Sequence, residues 1–121
     1  MAEKIYHEDN EQAVVFEWAA YIPVLKWLHA IPNGGNRNAQ EAARMKGQGV
    51  TPGIHDIFLP LSRRGYHGLY IEMKRNPKQG RAVPTKEQIE FRDYVLKEGY
   101  DCKICYGAGE AIDKIKEYCS L

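Results

Sequence analysis

Asp56, Glu72 and Lys74 are the residues whose types and spacing invite chemistry. Asp56 lies in "GIHDIFLP"; after 15 intervening residues, "GLYIEMKR" carries Glu72 and Lys74 two positions apart in an otherwise apolar run. Alternate residues of a strand share a face, so Ile71 and Met73 are expected in a core while Tyr70, Glu72 and Lys74 look the other way. If the two runs pair as a hairpin about "SRRGYH", Asp56 falls opposite Glu72 or one residue from it, depending on register. Two carboxylates brought together repel and raise each other's pKa unless a cation lies between them. Oxygen ligands with room for water and phosphate suit Mg²⁺ or Mn²⁺ better than zinc. An ammonium beside such an ion can orient a water or stabilise charge on a phosphorane-like transition state. These are the parts of metal-assisted phosphodiester hydrolysis. The competing reading is a Glu-Lys or Asp-Lys ion pair on an exposed sheet face, which is common and weak.

The elements that must hold these residues follow from periodicity and breakers. "NEQAVVFEWAAYI" spaces Ala13, Val14, Val15, Phe16, Trp18, Ala19 and Ile22 for a first helix from about Asp9 to Tyr21, stopped by Pro23. "KWLHAI" reads as a short strand ending at Pro32 and "NGGN", and the Ala-rich "NAQEAARMKGQG" as a helix. The hairpin follows, then the polar loop "NPKQGRAVP". Thr85 precedes a helix in "KEQIEFRDYVLKEG", with Ile89, Phe91, Tyr94, Val95 and Leu96 as its stripe and Gly99 as its stop. "YDCKICYG" is a further strand, and "AGEAIDKIKEYCSL" a last helix burying Ala111, Ile112, Ile115 and Tyr118. This order predicts one domain over 1–121 of the α/β class, with a mixed central sheet flanked by helices.

Composition sets the outer bounds. With 121 residues, 44% hydrophobic and 27% charged, the chain matches one globular domain and excludes disordered classes. The net charge of +1 conceals segregation. Residues 1–20 hold Glu3, Glu8, Asp9, Glu11 and Glu17 against Lys4; residues 60–86 hold Arg63, Arg64, Lys74, Arg75, Lys78, Arg81 and Lys86 against Glu72. A local basic stretch is what a phosphate backbone requires, although a solvated loop has the same composition. Cys102, Cys105 and Cys119 are an odd set; "CKIC" on a strand sends its thiols to opposite faces, so buried cysteines are expected in place of a redox or zinc site. No leader and no membrane-spanning run is read, and a reducing, cytoplasmic setting in a bacterial or phage-infected cell is expected.

"AIPNGGNR" at 30–37, "GVTPGIHDIFLP" at 49–60, "GYHGLYIEMKR" at 65–75 and "PTKEQIEFRDYVLKEGYDCKICYG" at 84–107 together resemble the virus-type replication-repair nuclease domain, VRR-NUC, in its small stand-alone phage-like form. This is a branch of the PD-(D/E)XK superfamily, whose D, E and K would be Asp56, Glu72 and Lys74. The resemblance implies a restriction-endonuclease-like core. It also implies an acid early in the first helix, taken as Glu8 with Glu11 as the fallback, and a glutamine in the helix after the E-x-K strand, which Gln88 supplies. Glu17 is read as an exposed helix residue. His55 stands where many relatives have proline, and as a neighbour of Asp56 on a strand it is read as packing and not as a ligand.

On this resemblance, Asp56, Glu72 and the Met73 carbonyl would hold Mg²⁺ or Mn²⁺, with Glu8 completing the site through water. Lys74 would position the attacking water, and Gln88 would orient Lys74 or a phosphate. Arg37, Arg44, Lys46, Arg63, Arg64, Arg75, Lys78 and Arg81 are the expected backbone contacts, with the glycines of "NGGNR" letting main chain approach a phosphate. Small stand-alone members of the family look like homodimers that cut four-way DNA junctions, and Trp18, Tyr21 and Trp27 are candidates for a dimer face. Within the enzyme class the alternative is a restriction-like, general or DNA-end/flap nuclease; from other classes, a non-catalytic DNA-binding module and an interaction protein whose hairpin charges are surface pairs.

Overall fold

The computed structural model describes residues 8–32, 38–80 and 82–121, and the side chains of all of these except 8, 9 and 79. The described residues form four α-helices, α1 (Glu8–Ala19), α2 (Ala39–Gly47), α3 (Lys86–Lys97) and α4 (Ala108–Cys119), and four strands, β1 (His29–Ala30), β2 (Ile57–Leu59), β3 (Leu69–Lys74) and β4 (Asp101–Tyr106). The sheet order is β1-β2-β3-β4; the first two pairings are antiparallel and β3 pairs β4 in parallel, with α3 as the crossover. The mixed α/β sheet read from the element order is therefore present.

One face of the sheet carries the apolar core. Ile57, Leu59, Leu69, Ile71, Met73 and Cys105 pack against Val15 and Ala19 of α1 and Ala108, Ala111, Ile115 and Tyr118 of α4. Each Ile, Leu or Met buried there contributes roughly 1.5–3 kcal/mol. Tyr118 satisfies its hydroxyl by donating to the Leu61 carbonyl at 2.6 Å, which ties the β2–β3 loop to α4. The opposite face carries the aromatic residues Phe58 and Tyr70, a cross-strand pair whose rings are 4.4 Å apart, extended by Phe91 of α3 and by Tyr100.

Two expectations are corrected. β1 and β2 are only two and three residues long, shorter than the apolar runs that predicted them. β2 ends at Ile57 because the Met73 amide donates to the side-chain Oδ2 of Asp56, at 2.8 Å, in place of a backbone carbonyl across the ladder. In α3 only Val95 is buried, while Tyr94 (62% exposed) and Leu96 lie outside the packed stripe, which runs through Gln88, Phe91 and Val95. Trp18 is half-buried and packs against the core, whereas Tyr21 and Trp27 are exposed. As expected, Cys102 and Cys105 are buried on opposite faces of β4, and burial pushes both thiols up to about 12.

Candidate active site

Three consecutive residues at the end of β3 make the centre of the site. Met73 anchors the strand in the core, and its neighbours Glu72 and Lys74 point to the α3 side. The Ile57–Ile71 pairing, carried one residue further, sets Asp56 opposite Glu72, which settles the register question. The charged face is not exposed: Glu72 is 3% and Lys74 7% accessible, so the surface-pair reading is wrong for these two residues. Glu72 is covered in part by α3, whose first turn docks there through Gln88.

That first turn is locally specified. Thr85 caps α3: its hydroxyl accepts the Gln88 amide at 3.1 Å while Gln88 Oε1 accepts the Thr85 amide at 2.9 Å, a complete capping box. With its oxygen so occupied, Gln88 presents Nε2 outward and donates to Glu72 Oε2 at 3.0 Å. Gln88 therefore holds Glu72, a contact beyond the expected roles toward Lys74 or a phosphate. The chain before Asp56 lies directly on this turn. Gly53 has φ +91°, and a Cβ there would come within 2.6 Å of the Glu87 carbonyl oxygen, so only glycine permits the approach.

The electrostatics of the cluster are unbalanced. Lys74 Nζ lies 3.5 Å from Glu72 Oε2, the oxygen already held by Gln88. Glu72 Oε1 is buried without a hydrogen-bond partner. Burial first, and then the Asp56 carboxylate beside it, push Glu72 up to about 8, against the opposing pull of Lys74. Two facing carboxylates leave an oxygen that needs either a proton or a cation. The donor set is all oxygen, carries more negative charge than Lys74 cancels, and fits a hard divalent ion. In a strand the N–H and C=O of one residue leave on the same edge, so the Met73 carbonyl is aimed to the Asp56 side, as its amide is. Among the described residues no third His, Cys, Asp or Glu joins these carboxylates to make a metal-binding group.

Other anticipated residues fall in different places. The side chain of Glu8 lies outside the described residues, although Glu8 begins α1. The fallback Glu11 is occupied elsewhere, since its Oε2 accepts the Ala108 amide at 2.6 Å and caps α4. Glu17 is exposed on α1, as expected. Arg37 and Arg81, with the "NGGNR" turn, lie outside the described residues. Arg75 and Lys78 are exposed just beyond Lys74, on the site's end of β3. Arg63 and Arg64 are at the other end of that strand, roughly 17 Å away by strand rise, and Arg64 is tied to Glu117 at 3.3 Å. Arg44 and Lys46 are exposed on α2, with Arg44 3.7 Å from Glu41. Among the described residues the bases of this segment are thus split between the two ends of β3.

His55 is buried as expected, but it does more than pack. Its Nε2 meets the Gln88 carbonyl at 3.0 Å, its Nδ1 meets Cys102 Sγ at 3.2 Å, and its ring lies against Phe91. Burial lowers its pKa below the ordinary histidine value, with the Gln88 bond opposing. The sequence signal for this role is weak: a histidine before the aspartate and a cysteine on a strand of the same sheet.

No family model matches the sequence, and comparison with curated proteins finds no match. A solved structure described as a VRR_NUC domain protein does match, at 31% identity and a TM-score of 0.82, with the alignment covering 98% of this chain and 93% of the other. Among the described residues no helix is long and apolar enough to cross a membrane. With likeness of this extent in sequence and fold together, the chain belongs to the VRR-NUC domain family, nuclease domains of the PD-(D/E)XK type with a restriction-endonuclease-like fold.

Proposed function

We propose that this chain is a metal-dependent, structure-selective DNA endonuclease that acts as a homodimer on four-way junctions. The observation that carries the catalytic part is the half-buried Asp56 set beside the buried Glu72, with one Glu72 oxygen left without a partner near Lys74. Asp56, Glu72 and the Met73 carbonyl would hold Mg²⁺ or Mn²⁺, with Glu8 reaching it through water. Such an ion supplies charge neutralisation at the scissile phosphate and a more acidic water.

The chain's own groups do the rest. The Lys74 ammonium has three donors and no acceptor, so it grips oxygen: that of the attacking water or of the phosphate as charge develops there. Water would add to phosphorus, its proton passing to solvent, as the bond to the 3′ oxygen breaks and that oxygen takes a proton from solvent, leaving a 5′-phosphate and a 3′-hydroxyl. Gln88 fixes Glu72 Oε2 and leaves Oε1 without a hydrogen-bond partner. Arg75 and Lys78, exposed next to the site, are the first DNA contacts; Arg37, Arg44, Lys46, Arg63, Arg64 and Arg81 serve a longer backbone track without reading bases. Support for the dimer is the exposure of Tyr21 (89%) and Trp27 (70%), and the need for two symmetry-related cuts in a symmetric junction.

The test is cleavage of a labelled four-way junction against linear duplex, flap and single-stranded DNA, with Mg²⁺, Mn²⁺ or chelator and with Lys74→Ala as control. Paired symmetric nicks requiring both metal and Lys74 are expected. Metal-dependent cutting of the other forms alone would keep the nuclease and remove the junction specificity. Binding without cutting would leave a DNA-binding module.

A further inference from the structure

Asp56, just before β2, and Glu72, on β3, are joined by a closed circuit of contacts. Starting at Asp56, the peptide bond leads to His55; His55 Nε2 bonds the Gln88 carbonyl at 3.0 Å; Gln88 Nε2 bonds Glu72 Oε2 at 3.0 Å; the chain leads to Met73; and the Met73 amide returns to Asp56 Oδ2 at 2.8 Å. Every link but one comes from backbone or from the residues already assigned to the site. The exception is His55.

The hydrogen positions follow from the partners. The Gln88 carbonyl can only accept, so His55 Nε2 carries the hydrogen. In the neutral ring Nδ1 is then an acceptor, and the Cys102 thiol at 3.2 Å donates to it, which fixes the tautomer from the far side. Fully buried and wedged against Phe91 at 5.0 Å, the ring has little freedom to turn. Gly53, flat against Glu87, brings the same segment onto the same turn of α3.

We infer that His55 is a positioning residue that sets the spacing of the Asp56 and Glu72 carboxylates by fastening the Asp56 segment to the first turn of α3. It touches neither ion nor substrate; it acts through Gln88 on one carboxylate and through the backbone on the other. The inference rests on the metal-binding reading above, and its readout is metal affinity and not cleavage.

The experiment is calorimetric titration of the full chain with Mn²⁺, comparing wild type, His55→Leu and His55→Gln, with thermal midpoints in chelator taken alongside. His55→Leu keeps bulk and loses the donor; its Mn²⁺ affinity is expected to fall roughly tenfold, as for loss of a group that orients metal ligands. His55→Gln places an amide N–H near the position of Nε2 and is expected to restore most of the affinity. A His55→Leu protein that is destabilised but binds Mn²⁺ like wild type overturns the inference, leaving His55 as packing. Should His55→Leu fail to fold, the intact protein decides: on Mg²⁺ saturation the NMR signals of the His55 Nε2–H and the Gln88 side-chain amide should shift together, and unmoved signals overturn the inference. Absence of any divalent-ion binding by wild type overturns both this inference and the metal-dependent reading. Mn²⁺ binding without DNA cleavage removes the nuclease reading and leaves the role of His55 intact.

Discussion

The sheet sets a lysine against carboxylate on each of its faces, and the two arrangements differ in balance. On the α4 side, Lys114 Nζ lies 2.8 Å from Asp101 Oδ2, and Asp101 Oδ1 accepts the Cys102 amide at 2.8 Å. Glu117 adds a second partner for Lys114 at 3.6 Å. Burial pulls the Lys114 pKa down, but Asp101 and Glu117 outweigh it and the net shift is upward. Both oxygens of Asp101 are used. On the α3 side, Lys74 stands 3.5 Å from Glu72, a second carboxylate presses on the first, and Glu72 Oε1 has no partner. A buried pair that satisfies itself holds a fold together; a buried cluster with surplus charge is waiting for something to complete it. The same residue types thus serve opposite ends, and what separates them is whether each polar atom is spoken for.

The most severe way to probe that contrast is the same substitution on both faces. Lys74→Met should lower DNA cleavage at saturating metal by hundreds-fold or more, about 3–4 kcal/mol of transition-state stabilisation. Lys114→Met should leave cleavage by the folded fraction within a few-fold of wild type. Its effect is on folding: it strands Asp101 in a buried position and should cost about 3 kcal/mol in urea denaturation. Near-normal cleavage by Lys74→Met would erase the distinction between the faces.

A second probe uses protons in place of mutations. The folded-state pKa of Glu72, about 8, lies above the 4.5 of the free group, so the fold favours its neutral form. Its contribution is complete below about 4.5 and is lost as pH rises through 8. His55 works in the other sense: burial depresses its pKa, so its contribution is present above the ordinary value of 6.5 and is lost as pH falls. From 6.5 to 8 the Glu72 effect is therefore unopposed by His55. In chelator, the stability of wild type relative to Glu72→Gln should fall across that window by up to about 1.4 kcal/mol per pH unit. Saturating divalent ion should abolish the fall, because it takes the place of the proton.

How much of this was legible in the sequence depends on the range of the interaction involved. Period-two alternation in "GLYIEMK" placed Ile71 and Met73 inward and Glu72 and Lys74 together on the opposite face, and that holds. Helix α3 was legible at its start, since Thr85 and Gln88 are a local capping signal. What α3 then covers was not. Whether Glu72 and Lys74 are exposed or buried is decided by how a helix more than ten residues downstream docks, and nothing in the strand's own pattern distinguishes the two. Gln88 illustrates the limit: its place in "KEQ" was readable, but its choice of Glu72 over Lys74 follows from the capping box taking its oxygen. How the basic segment is laid out in space was hidden for the same reason. Arg63 and Arg75 are neighbours in composition but stand at the two ends of β3, because the strand runs straight between them.

The smallest predicted effect separates the two helix N-termini that meet the sheet. Helix α4 is capped from a distance: Glu11, on α1, accepts the Ala108 amide, so its cap is a tertiary contact. Helix α3 is capped by its own Thr85, and the same capping box sets the side chain of Gln88. Thr85→Ala should cost about 1 kcal/mol of stability, the ordinary loss for an N-cap. If the cap also serves the site, Mn²⁺ affinity should weaken a few-fold with it, since Gln88 loses the partner that holds its helical turn and Glu72 loses a fixed donor. Thr85→Ser keeps the hydroxyl and should restore both. Glu11→Gln, which perturbs the other cap, should lower stability without touching metal affinity. A loss of Mn²⁺ binding in Glu11→Gln equal to that in Thr85→Ala would mean that the site responds to global loosening of the sheet, and the division between a structural face and a catalytic face would have to be given up.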